Sequence, residues 1–329
     1  MMGTELSNKF MNHSFIKKLL RTLNSGFRTP VRNGFKPFPT ESPTYGLTRR
    51  HFLRFLLGLP LLSSFPLRIQ ETWADLPSHP KKGRDSIGEF FKGEELQYEI
   101  GLWRFKKVAM GKISFEEMGK KGRYLATLQG ETLGVLGFVA RYRVDTYRSV
   151  MEEIDGGRRL RSISFEEDVK IGSKLRRRTH FFDYQKRKWI TVRQRKDGSK
   201  VRKEEEIPSG MVYDDFVTAS YNFRYGVYGG MERGRTYRVA TFPKKGPSSY
   251  EVRVASKEEE EKRRKPEKSK DGKEYFLKLF LDAELTHSKE GLIEGWLSKE
   301  LYPIEGTIKD VIFFGDIKGT LIKKVSLQI

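Results

Sequence analysis

The feature that most constrains this chain is a period of two in its apolar residues. Leu96, Tyr98, Ile100 and Leu102 alternate with Gln97, Glu99 and Gly101. Tyr250, Val252 and Val254 alternate with Glu251 and Arg253, and Val325, Leu327 and Ile329 with Lys324, Ser326 and Gln328. Successive side chains of a strand point to opposite faces, so this pattern puts one face on a core and the other in water, as in antiparallel sheets. Turn signals recur between the runs: Gly119-Lys120-Lys121-Gly122, Asp155-Gly156-Gly157, Asp197-Gly198 and Asp271-Gly272. The spacing predicts about a dozen strands at the intervals of a sandwich or barrel.

One segment breaks the rhythm. Phe216, Ala219, Ser220 and Phe223 fall at helical spacing, with Asp214 and Asp215 placed to cap the start and Gly226 the end. This predicts one short helix against the sheet. Asp75–Gly88 carries Pro77, Pro80, Gly83 and Gly88 and reads as a tether, so 75–89 is taken as a linker and 90–329 as a single domain. Ser256–Lys273 mixes Glu258–Glu261 with Lys262-Arg263-Arg264-Lys265 and reads as a solvated hairpin tip.

Charge is unevenly placed. The chain carries 64 basic and 43 acidic residues, a formal +21. Met1–Ala74 accounts for +8, and Lys170–Lys203 for +12, with only Asp183 and Asp197 opposing it. The remainder is close to neutral.

The N-terminal excess includes Thr48-Arg49-Arg50-His51-Phe52-Leu53-Arg54, followed by thirteen uncharged residues from Phe55 to Leu67. Arg49, Arg50, Phe52 and Leu53 match the twin-arginine export pattern, with Arg54 in place of its final Lys. The apolar run is too short to span a bilayer, which takes about 20 residues. Thr72-Trp73-Ala74 offers small residues where a signal peptidase reads, so 48–74 is taken as a signal segment with cleavage after Ala74. Residues 1–47 are rich in Asn, Pro and Arg and read as a disordered extension, a transit peptide being the alternative. The expected location is the periplasm or cell envelope, with the twin-arginine export machinery as a partner and nucleic acid excluded. Zero cysteine suits a chain that folds before export; it excludes disulfides, thiolate metal sites and a cysteine nucleophile.

No catalytic constellation stands out. His79, His180 and His287 lie far apart, and no zinc-binding His-Glu-x-x-His, phosphate loop, nucleophile elbow or EF-hand occurs. No catalytic residue, metal or cofactor is implied. Asp214-Asp215 and Glu166-Glu167-Asp168 leave open a dispersed carboxylate pair, as in an envelope polymer hydrolase.

The central basic stretch has its own pattern. Alternation puts Lys174, Arg176, Arg178 and His180 on one face of a strand, and Trp189, Thr191, Arg193 and Arg195 on one face of the next. Two readings fit. One is a binding face for phosphate or carboxylate groups, which the planar arginine fork grips bidentately. The other is a solvated face whose charge discourages edge-to-edge aggregation.

Several short motifs resemble a family of exported bacterial proteins, domain of unknown function 3108. Gly93-Glu94-Glu95-Leu96-Gln97-Tyr98 is similar to its Gly-Glu-x-Leu-x-Tyr first strand. Val144-Asp145-Thr146-Tyr147 and Phe182-Asp183-Tyr184 resemble its middle elements, and Asp215–Arg224 its short helix with an aromatic-Arg ending. Trp296-Leu297-Ser298 leading to Pro303 resembles its late Trp-x-Ser/Thr strand. The resemblance implies an all-β fold, a strongly curved antiparallel sheet or open β-barrel with one short helix, in the cell envelope and without known catalytic residues. The function expected is non-catalytic binding of an amphipathic or anionic ligand (lipid, lipopolysaccharide or glycan) on the curved sheet; the alternatives are the hydrolase and a scaffold for an acidic envelope protein. Replacing Arg49 and Arg50 by Lys should leave the precursor in the cytoplasm. Undiminished export in a fractionation assay would refute the signal.

Overall fold

The computed structural model describes residues 86–325 of the chain, apart from 103–104, 196, 243–248, 265–271, 282, 287 and 312–313. The export pattern at Arg49, Arg50, Phe52 and Leu53, the extension 1–47 and the cleavage site lie outside the described residues.

Fourteen strands are described. The first eight are β1 (Glu95–Leu102), β2 (Phe105–Glu117), β3 (Arg123–Thr132), β4 (Val144–Ile154), β5 (Arg159–Ile171), β6 (Lys174–Asp183), β7 (Lys188–Gln194) and β8 (Lys200–Glu206). Then follow β9 (Thr236–Ala240), β10 (Ser249–Val254), β11 (Tyr275–Phe280), β12 (Leu292–Leu297), β13 (Pro303–Val311) and β14 (Gly315–Val325). The helices are α1 (Ile87–Phe91), α2 (Gly134–Val139), α3 (Phe216–Tyr225), α4 (Lys257–Arg264) and α5 (Ala283–Thr286).

All fourteen strands form one antiparallel sheet. Apart from β8 and β9, which are left as the two edges, strands adjacent in sequence are paired, and β1 also pairs with β14. The fold is thus the open, all-β antiparallel sheet that the alternation and the resemblance imply, with five described helices where the sequence predicts one. The sheet curls strongly: Trp189 on β7 and Phe242, just past β9, come from opposite ends of the strand order, yet their rings lie 5.2 Å apart. Phe115, Tyr124, Met151, Leu160, Phe165 and Phe182 complete one core on the inner face. A register shift between Val150 and Met151 sets one extra residue into β5, so Ser162 and Phe165 both turn inward although an odd number of positions separates them.

Two segments differ from the sequence reading. Part of the stretch read as a linker is helical: Ile87 and Phe91 of α1 are buried in the core, and a Cβ on Gly88 would overlap the Tyr124 ring. Part of the stretch read as a solvated tip is α4, with acids in its first turn and bases in its last, which suits the helix dipole. Its Glu260 is buried, accepting from Arg233 Nε at 2.9 Å and from the Phe276 amide at 3.2 Å. A buried carboxylate in a run of charges leaves no apolar periodicity to read.

The predicted helix is α3, with Asp215 as N-cap and Gly226, at φ 92°, as a left-handed C-cap. It lies in the hollow of the sheet and is fastened there by polar side chains. Asp215 Oδ1 accepts from the amides of Val217 and Thr218; Oδ2 accepts from the hydroxyls of Ser149 (2.6 Å), Ser162 (2.8 Å) and Thr218 (2.9 Å). Asn222 behaves as a strand neighbour of Leu160, accepting from its amide and donating to its carbonyl, both at 2.9 Å. Arg224 grips Glu94 bidentately at 2.7 and 2.6 Å and donates to the Leu301 carbonyl at 2.7 Å.

These staples generate two predictions. Asp215→Ala removes the cap and leaves three buried hydroxyls without their acceptor, so urea unfolding should show a loss on the order of 3–5 kcal/mol. A loss below about 1 kcal/mol would contradict the role given to this carboxylate. Asp214, fully buried beside it, is pushed up to about 6 by burial, a shift that Arg159, Tyr228 and Asn222 oppose by pairing with its Oδ2. Because the folded-state value lies above the ordinary 3.8, the folded protein holds this proton longer than the unfolded chain. The contribution is therefore fully present below about 4 and lost as pH rises through 6, by roughly 2–3 kcal/mol. Asp214→Asn should lose less stability than the parent between pH 4.5 and 8; parallel profiles would contradict it.

Candidate functional site

The candidate site is the inner face of β5–β8, built by register alone. Arg178 on β6 sits directly opposite Glu167 on β5 and Arg193 on β7, and His180 sits opposite Phe165 and Thr191. Alternation then carries Arg176 and Lys174 along the same face toward the β5–β6 tip. Arg195 follows β7 at the next turn, where its amide bonds the Ser199 carbonyl. Lys174, Arg176, Arg193 and Arg195 are exposed, and Arg178 is half-buried.

The same face has two zones. Near the middle of the strands the side chains enter the core: His180 is 1% exposed and Trp189 3%. This corrects the placement of His180 on a cationic surface. The alternation puts it on the expected face, but the curl of the sheet covers it with Phe242, whose ring centroid is 4.8 Å away. Trp189 Nε1 has only a proton to give, so His180 Nδ1 accepts it, at 3.1 Å. The neutral ring then carries its proton on Nε2, which faces Glu167 Oε1 at 3.7 Å. His180 is a core residue. Beyond it, toward the tips, the five cationic side chains stand clear of the core.

The outer face of the same strands is balanced. Arg177 chelates Asp168 at 2.7 and 2.9 Å, and Arg148 bridges Glu166 (2.7 Å) and Asp168 (3.1 Å). Burial pushes the Asp168 carboxyl up, but its bonds to Arg177 and Arg148 outweigh that and hold it below the ordinary value. On the inner face the balance is partial. Arg178 has Glu167 at 3.5 Å, while no described acid lies within ion-pair distance of Lys174, Arg193 or Arg195. Opposed like charges cost a sheet a few tenths of a kcal/mol per pair, and Arg178 against Arg193 is such a pair. The strand pattern revealed this face; it did not reveal the Arg177–Asp168–Arg148 ladder behind it, whose partners come from three strands.

Of the carboxylates that left hydrolysis open, Glu166 and Asp168 are held by Arg148 and Arg177. Asp214 and Asp215 are fully buried under α3, and Asp215 is saturated with donors. A depression of about 480 Å³ lies at the β6–β7 turn and the end of β8, lined by Lys186, Arg187, Lys188, Glu204, Glu205 and Glu206. Its charges neutralise one another, as in Arg187–Glu206 at 2.7 Å and Lys188–Glu204 at 2.9 Å. Among the described residues no group of three His, Asp or Glu could hold a metal, and no helix is long and apolar enough to cross a membrane.

No curated protein matches the chain. Among solved structures it is similar to a beta-barrel-like protein of domain of unknown function DUF1849 from Brucella abortus, at 11% identity and a TM-score of 0.40, over 73% of this chain and 99% of that one. The model of the family described as protein of unknown function (DUF3108) matches residues 97–322, which spans most of the sheet, α3 and the Trp296–Ser298 strand end. The chain therefore belongs to the DUF3108 family.

Proposed function

We propose that this chain is a non-catalytic cell-envelope protein that binds an anionic ligand, the phosphate or carboxylate groups of a lipid, lipopolysaccharide or glycan, on the cationic zone of β5–β8. One observation carries the reading: Arg178 and Arg193 oppose each other on neighbouring strands, flanked by Lys174, Arg176 and Arg195. Glu167 offsets Arg178 at 3.5 Å, while Arg193 opposite it has no described acid within ion-pair distance, so this zone keeps an excess of positive charge for a ligand to neutralise. The planar arginine fork presents paired donors to an oxyanion, and the strands place several such side chains on one face.

The sheet's hollow does not serve as the ligand chamber in this reading. The aromatic cluster and α3 fill it, with Phe91, Phe115, Tyr221 and Trp189 each at most 3% exposed. The binding surface is thus the charged margin of the sheet. Charge reversal of Arg176, Arg178, Arg193 and Arg195 to Glu in the full chain should weaken co-sedimentation with phosphatidylglycerol vesicles and with lipopolysaccharide by roughly tenfold or more, and flatten the salt dependence. Reversal of Lys186, at the far turn of the same hairpin, should change little. Unaltered binding in the quadruple variant would sink the assignment of this face.

A further inference from the structure

A second feature lies at the same end of the sheet. Strands alternate in direction, so the connections after β1, β3, β5 and β7 all fall at one rim, together with the open end of the cationic zone. The two most exposed large apolar side chains of the described residues are there: Phe138 at 70% and Tyr142 at 59%. Leu175 (52%) and Phe105 (46%) accompany them. Monomer surfaces scatter apolar side chains singly, and clustered ones mark an interaction site.

This rim is built. The Leu133 amide bonds the Val108 carbonyl at 2.8 Å, the Tyr142 amide bonds Gly137 at 2.6 Å, and the Gly172 amide bonds Arg141 at 2.8 Å. The start of β2, the α2 connection and the β5–β6 tip are therefore one connected surface. Arg141 and Tyr142 both hold left-handed backbone, at φ 58° and 49°, a conformation L-residues adopt at a cost. The sequence of the connection, Gly134-Val135-Leu136-Gly137-Phe138-Val139-Ala140, contains no charge. Around it stand exposed Lys106, Lys107, Arg141, Lys170, Lys174 and Arg176, with the exposed acid Glu131 at the end of β3.

Aromatic and aliphatic side chains projecting from a ring of cations match the interface of an anionic bilayer: the apolar groups enter the headgroup region while Lys and Arg stay at phosphate level. A soluble glycan or an isolated phosphate would use the cations and leave Phe138 in water. Resting on the anion-binding reading above, we infer that this rim seats on anionic membrane, with Phe138 and Tyr142 inserted at the interface and Arg141, Lys174 and Arg176 on the lipid phosphates.

The absence of cysteine makes the test clean. In the full chain, Phe138→Cys carries one environment-sensitive nitrobenzoxadiazole dye; Lys120→Cys, at the opposite end of the sheet between β2 and β3, is the control. On phosphatidylglycerol vesicles the dye at 138 should shift to the blue and brighten several-fold, while pure phosphatidylcholine gives little change and the dye at 120 stays in water. Co-sedimentation with the dye at 138 still in water would overturn insertion; if Arg178→Glu/Arg193→Glu then abolishes that co-sedimentation, the anion-binding reading survives alone. Absence of any vesicle binding would overturn insertion, while retained binding to lipopolysaccharide in the same preparation would keep anion binding. Equal brightening on both vesicle types would also overturn the proposal, since the cations would then have no part in it.

Discussion

Burying a guanidinium and a carboxylate is costly unless each is fully paired, and Arg224 and Glu94 meet that condition at the C-terminal end of α3. At the other end Asp215 collects two amides and three hydroxyls. Between them Asn222 joins β5 as an extra hydrogen-bonding neighbour. A ten-residue helix has little stability of its own. These bonds fix α3 inside the sheet, whose inner-face side chains pack on it in one core. The open edges β8 and β9 are the places where the chain leaves the sheet to form the helix and returns.

Filling the hollow decides where binding can occur. The inner face contributes aromatic rings to the core along most of its length, and only toward the tips do the same strands carry arginine and lysine. One strand, β6, shows the transition within its own sequence: Phe182 and His180 are buried, Arg178 is half-buried, and Arg176 and Lys174 are exposed. Proposed function and fold are therefore read from one alternation, with a change of residue type where the core ends.

Much of this was legible in the sequence, for identifiable reasons. Strands announce themselves by a local period of two, and α3 by a cap, a helical spacing and a terminal glycine, all within thirteen residues. The short motifs that carried the family resemblance have a physical meaning the sequence could not display. Glu94 of the first motif pairs with Arg224 at the end of the helix motif, 130 positions away. Tyr98 donates to the Pro303 carbonyl, which joins the first motif to the last. Alternation puts His180 on its observed face but says nothing of the curvature that buries it under Phe242. Helix α4 offers no such signal because its fully buried side chain, Glu260, is itself charged, and the Arg263 and Arg264 side chains that cover Phe276 and Trp296 are charged too. The apolar rim at Phe138 has a sequence signal, an uncharged run between two strands, but its exposure follows from the fold.

The central claim is that the interior is structural and the charged, apolar-tipped rim is the working surface. Hydrogen–deuterium exchange of the full chain, with and without phosphatidylglycerol vesicles, tests it directly. The account predicts protection over 133–143 and 172–178, with no change over α3. Protection confined to 216–225 and the strands beneath it would contradict the account, since the ligand would then be entering the hollow that α3 fills.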